Sequence, residues 1–320
     1  MTAQTLAQLS NWLVYSTMFV LTLAMVGFSA ELALGGRPRL LARRPAMAGT
    51  ANGPGSTGAD VADPPPPEGA PRVAGVARSL TTLAFLMLLG GVVFRGLAAG
   101  RAPWGNMYEF SVTSALLVLF FFLAVAHRRP SLGRLGIFVV IPVLLTLGLA
   151  VAILYVPAGP LVPALKSYWL VIHVAAAIIS GGAFTVGGVA TGLFLVQDHW
   201  ERTGTTNTVS RLLPSAEQLD QAAYRLFAFV FPLWTFAIIA GAIWAENAWG
   251  RYWGWDPKET WAFVTWVIFA GYLHARSTAG WKGRPAAIIA LVGLSSFIFN
   301  YFGVNIWFTG LHSYGGLPTR

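Results

Sequence analysis

Tryptophan, histidine and a few charges carry whatever chemistry this chain performs, because it contains no cysteine. That absence excludes structural disulfides, thiolate metal sites and a cysteine nucleophile within the chain. The densest group is Trp244 to Trp266, WAENAWGRYWGWDPKETWAFVTW, which holds six of the thirteen tryptophans in twenty-three residues. Indole faces stack on flat aromatic ligands, and cations among them pair with carboxylates. The segment therefore suits a large planar amphipathic molecule, with Trp249, Trp253 and Trp255 as the supporting faces. Arg251 and Lys258 are its candidate carboxylate partners, against an equal case for solvated loop charges. An aromatic belt at a membrane surface is the plainer explanation of the tryptophans.

Five histidines are present. His127 and His199 fall at or beyond helix ends among basic residues, where a cation complements the helix dipole and needs no further role. His173, in KSYWLVIHV, lies about one turn into an apolar run, and His312 lies in the C-terminal tail, in GLHSYGG. Two neutral imidazoles on opposite faces of a macrocycle hold haem iron. Taken singly, a buried histidine bonded to a neighbouring helix and a tail histidine in a turn are the simpler readings. His274, in GYLHAR, is eighteen residues from Asp256, roughly 27 Å along a helix. It cannot bind a group held at the tryptophans: it binds something else or the same ligand at an earlier stage, against the plainer reading of a helix-end residue beside Arg276. Asp256, Pro257 and Glu259 follow a capping-box order, so Asp256 is first a helix cap and second a ligand contact. Asn106 and Glu109 repeat that order. No paired carboxylates or Ser-His-Asp arrangement indicate hydrolysis.

The elements that position these residues are membrane helices. Hydrophobic residues make up 56% and charged residues 10% of the chain, the composition of an integral membrane protein. Eight apolar runs reach spanning length, at about 12–34, 79–99, 108–126, 135–155, 168–196, 223–245, 260–275 and 285–304. The fold expected is an all-α polytopic bundle. The first run lacks a preceding basic region and reads as a retained helix, not a signal peptide. Residues 35–78, which include PGSTGADVADPPPPEGAPR, read as a disordered cytoplasmic linker. The functional domain is then 79–320. The glycine pairs beginning at Gly181 and Gly187 are expected to permit close helix packing. Fifteen lysines and arginines lie in one set of loops and six in the opposite set. By the positive-inside rule both termini and the tryptophan segment are extracytoplasmic, in the plasma membrane. The net charge of +9 thus reflects topology and lipid, not nucleic acid.

WGRYWGWDPKETW, from Trp249 to Trp261, resembles the WWD signature of haem-handling proteins of cytochrome c biogenesis. WGNMYE at 104–109, LKSYWLVIHV at 165–174, GAIWAENAWG at 241–250, YLHAR at 272–276 and YFGVNIWFTGLHSYG at 301–315 are similar to its CcsA branch, also called ResC or, in actinobacteria, CcsB. The resemblance covers most of the chain from Trp104 onward. It implies a subunit of the system II cytochrome c synthase, an enzyme as part of a haem lyase complex. Such a subunit moves haem b outward and presents it for thioether attachment to a CXXCH apocytochrome c. It implies His173 and His312 as external iron ligands, His274 as a ligand of an inner site, and Trp249, Arg251, Tyr252, Trp253, Trp255, Asp256 and Lys258 around the haem. A ResB-type subunit and a thioredoxin-like reductant are the implied partners. A haem exporter without ligation activity and a b-type electron-transfer cytochrome are the alternatives.

Overall fold

The computed structural model describes residues 1–35, 69–161, 163–278 and 280–312. Residues 36–68 of the expected linker and the tail beyond His312 lie outside the described residues. Among the described residues the chain is entirely helical. The helices are α1 (Ala3–Gly35), α2 (Gly69–Ala99), α3 (Met107–Arg128), α4 (Gly136–Ala152), α5 (Tyr168–Thr203), α6 (Thr208–Leu212), α7 (Ala216–Trp249), α8 (Pro257–Ser277), α9 (Arg284–Ile298) and α10 (Val304–Trp307). A π-helical turn, Phe299–Gly303, joins the last two. The α2 helix begins ten residues before the apolar run at 79. Pro71 in its first turn and the alanines that follow extend it without added hydrophobicity.

Among the described residues, seven helices are long and apolar enough to cross a membrane, and the protein is a multi-pass membrane bundle. The expected seventh span, 260–275, forms α8 but is not among the seven. Lys258 and Glu259 at one end and His274 and Arg276 at the other dilute its apolar character. Its 21 residues nonetheless extend roughly 32 Å. It is also central to the core, with Phe269 stacked on Phe184 of α5 at 4.4 Å and fully buried. Phe227, Trp234 and Phe297 from α7 and α9 complete this aromatic centre.

The long helices alternate in direction, so chemistry-bearing residues separate to two ends. The glycine pairs of α5 do pack as expected. A Cβ at Gly182 would lie 2.9 Å from Leu117 of α3, and one at Gly187 would lie 2.8 Å from Phe227 of α7. Close backbone approach of this kind is how helices gain packing contact where lipid supplies no hydrophobic drive. At the end remote from the tryptophans, Arg276 forms two bonds to Asp220, 2.6 and 2.9 Å long, joining α8 to α7. Arg284 reaches Asp198 at 2.6 Å and joins α9 to α5.

Candidate functional site at the tryptophan end

The turn before α8 is wound around one carboxylate. Asp256 caps the helix by accepting from the Lys258 N–H at 3.0 Å, and Pro257 follows in the first helical position. Glu259 returns to the Asp256 N–H at 3.1 Å, completing the capping box. It also accepts from the Gly254 N–H at 2.8 Å and pairs with Arg251 at 3.2 Å. Closing so short a turn places Trp255 at φ 58°, in the left-handed region that side chains seldom adopt. The Trp255 indole consequently points outward, 64% exposed, edge-on to Trp253 and Phe263.

The second capping sequence is completed differently. Asn106 accepts from the Glu109 N–H at 2.9 Å, but the Glu109 carboxylate turns away to the Gly105 N–H at 2.8 Å. It also binds Arg95 of α2 at 3.0 Å and Arg101 at 2.7 Å. Those arginines hold the carbonyls of Val156 and Gly159 in the loop after α4. A buried charge cluster, not a simple capping box, therefore fixes the Trp104–Asn106 segment.

Between these two turns lies a cavity of about 200 Å³, lined by His173, Trp104, Trp244, Trp253, Lys258 and His312 among others. It is smaller than pockets that enclose drug-sized ligands, about 300–1,000 Å³. A macrocycle seated here would be only partly enclosed. His173 donates from Nδ1 to the Ala237 carbonyl at 2.7 Å. His312 meets Asp256 Oδ1 through Nδ1 at 2.9 Å. With Nδ1 as the donor in each, Nε2 carries the lone pair. Ligand histidines are commonly held this way, with the second nitrogen bonded to a carbonyl or carboxylate. Trp244 touches both rings, parallel to His173 at 6.2 Å and edge-on to His312 at 5.5 Å.

Asp256 has a further function that capping does not require. Its Oδ2 accepts from the Leu311 N–H at 2.7 Å while Oδ1 holds His312. Burial would raise this carboxyl, but the bonds from His312, Lys258 and Leu311 outweigh it and hold it down at about 2. The resulting stabilisation is present above the ordinary value of 3.8 and is lost as pH falls through about 2.

Five of the residues singled out from sequence line the cavity: His173, Tyr252, Trp253, Lys258 and His312. Trp249 stands behind it, packed on Trp244 and His312 at 4.7 and 4.9 Å. Arg251 lies against Glu259 and over the Trp249 ring, and Trp255 faces outward. His274 is exposed on the flank of α8 at the opposite end. Sequence reasoning did not single out Trp244, although it opens the tryptophan segment. It also missed the π-helical turn, which puts Asn300, Tyr301 and Asn305 at or beside the cavity. With its amide oriented by hydrogen bonding, Asn300 reaches the Lys258 carbonyl and the Ala262 N–H, each at 3.3 Å. The Tyr301 hydroxyl contacts those of Ser111 and the Met107 carbonyl, tying the turn to α3.

The seat of His173 is tight. A Cβ at Gly241 would lie 2.7 Å from its ring. Gly241→Ala is expected to destabilise the bundle by about 1–3 kcal/mol through overpacking, despite alanine's better helix propensity. It should also raise the reactivity of His173 toward diethyl pyrocarbonate, read by mass spectrometry. An unchanged melting temperature with unchanged reactivity would show that the site has room.

The family described as Cytochrome C assembly protein matches residues 73–312. Among curated proteins, the cytochrome c biogenesis protein CcsA of Gloeobacter violaceus is 36% identical over 294 residues, spanning 74% of this chain and 85% of its own. The CcsA of Synechococcus sp. strain CC9902 is 37% identical over 268 residues, with 75% and 87% covered. That of Porphyra purpurea is 36% identical over 287 residues, with 77% and 90% covered. Among solved structures, a cytochrome c haem lyase, CcmF, superposes with a TM-score of 0.60 at 16% identity. It covers 94% of this chain, which spans about half, 47%, of that neighbour. At that identity the likeness is one of fold.

Proposed function

This chain belongs to the CcsA family of system II cytochrome c biogenesis proteins, and on that premise we propose that it carries haem b across the plasma membrane and presents it for covalent attachment to a CXXCH apocytochrome c. The observation that carries the reading is the pair of oriented imidazoles. His173 and His312 each bind through Nδ1 to a fixed acceptor and each line the same aromatic cavity. Haem is the substrate, its iron held by the two Nε2 atoms. Trp253 and Tyr252 line the ring's seat, Trp249 supports His312 from behind, and Trp255 offers an outward indole at the rim. Asp256 orients His312, and Arg251 shapes the turn through Glu259. Lys258 is the cation at the cavity wall suited to a propionate, whereas Arg251 is already paired.

Attachment adds each client thiol across a haem vinyl group: a carbon–sulfur bond forms at one vinyl carbon and the thiol hydrogen moves to the other, with no net oxidation. The protein contributes position. Holding two vinyls and two thiols in one orientation removes a large entropic part of the barrier, and the partial enclosure leaves the haem edge open to the client. The client's own histidine replaces one axial ligand as product forms. His274 serves an inner site near the cytoplasmic face, and its exposure on α8 suits a second ligand supplied by a ResB-type subunit. A thioredoxin-like protein keeps the client thiols reduced.

Co-expression with a ResB-type subunit and a CXXCH acceptor, in cells lacking their own system, should give haem that stays on the acceptor through denaturing electrophoresis. Lys258→Met should lower the haem that copurifies several-fold while leaving the protein folded. External haem without a covalent product would support export alone, and no haem with the purified chain and its partner would overturn the reading.

A further inference from the structure

The carboxylate that caps α8 also holds the C-terminal tail, and the two roles share its two oxygens. Asp256 Oδ1 takes the Lys258 N–H at 3.0 Å and the His312 ring at 2.9 Å, and Oδ2 takes the Leu311 N–H at 2.7 Å. Capping alone needs only the first of these bonds. The chain that brings His312 here passes over the carboxylate without room for a side chain: a Cβ at Gly310 would lie 2.4 Å from Asp256 Oδ2. The residues 256 and 312 are otherwise joined only through the length of α8, α9 and the turns that follow.

We propose that Asp256 is the positioning residue for His312: its carboxylate docks the Gly310–His312 segment onto the start of α8 and selects the tautomer that presents Nε2 to the cavity. The docking itself is a property of the chain, and its consequence for iron rests on the haem reading above. A histidine bonded to a carboxylate is the more basic ligand. Asp256 therefore governs both where His312 stands and how strongly it donates. The bonds to Leu311 and His312 make the tail a detachable ligand arm, since two hydrogen bonds at one residue release it together.

Two substitutions approach the dock from opposite sides. Asp256→Asn keeps an N-cap residue of equal quality but has one oxygen for donors on two sides. With the oxygen on Lys258 and His312, its NH₂ opposes the Leu311 N–H. Gly310→Ala leaves the cap untouched and drives a methyl group into Oδ2. Hydrogen exchange of the full-length chain in detergent, followed by mass spectrometry, should show amides 308–312 exchanging about tenfold or more faster in both variants, because a bond to a charged acceptor is lost. The first turns of α8 should keep the wild-type rate in Gly310→Ala. With haem added, the Asp256→Asn protein should show a raised midpoint potential, and free imidazole should restore its low-spin spectrum.

Wild-type exchange of the tail in both variants overturns the proposal, whatever the haem result. Faster exchange in both, in a protein that shows no low-spin haem even as wild type, upholds the docking and overturns the haem reading instead. Should Asp256→Asn loosen α8 as well, Gly310→Ala decides, since its carboxylate and cap are intact.

Discussion

Alanine at His173 should abolish the low-spin haem signal of the purified protein. This side chain supplies one proposed axial nitrogen, and losing even an outer-shell partner of a metal ligand commonly costs 10–100-fold in affinity. Loss of the ligand itself should cost at least that much. The mechanism is specific to the ring. His173 is held by the Ala237 carbonyl at 2.7 Å and lies parallel to Trp244. Imidazole added to the variant should restore the low-spin spectrum by occupying the space left behind. His312→Ala should behave alike, with recovery at lower imidazole concentrations because the tail side of the cavity is nearer solvent. Unchanged spectra in both variants would remove these two residues as ligands.

Glu109→Ala should be the most destabilising single substitution at this end of the bundle. The carboxylate is 1% exposed and bonds Arg95, Arg101 and the Gly105 N–H together. Removing it leaves two buried or half-buried guanidinium groups and an orphaned amide. Breaking a buried ion pair from one side costs about 3–5 kcal/mol. Part of that loss should appear at the cavity, because the Trp104–Asn106 wall is held through Glu109. Glu109→Gln retains an acceptor for Gly105 and should fall between the two. Thermal unfolding in detergent measures both; a variant melting with the wild type would show that Arg95 and Arg101 are satisfied elsewhere.

Much of the fold is legible in sequence because lipid imposes a local rule. A stretch that crosses the bilayer must be apolar and long, and seven helices can be read that way. The eighth, α8, is read with a blurred boundary, since its charged ends and tryptophans lower its mean hydropathy. The capping box at Asp256 and Glu259 is equally local and forms as the residue order predicts. At Asn106 and Glu109 the same order is overridden, because two arginines from outside the turn claim the carboxylate.

The sequence by itself determined that tryptophans, two histidines and the tail belong to one end, through spacing, topology and the resemblance those residues carry. Only the tertiary structure decided what each does there. Arg251 is paired with Glu259 whereas Lys258 lines the cavity. Trp249 supports a histidine from behind, and Trp255 is turned outward by a strained backbone. Asp256 caps a helix and anchors His312, fifty-six residues away. The division has a physical cause. Hydropathy, helix capping and periodicity act between residues close in the chain, so they are written in its order. Which groups share a cavity depends on contacts among α3, α5, α7, α8 and the tail, and those exist only after the bundle has closed.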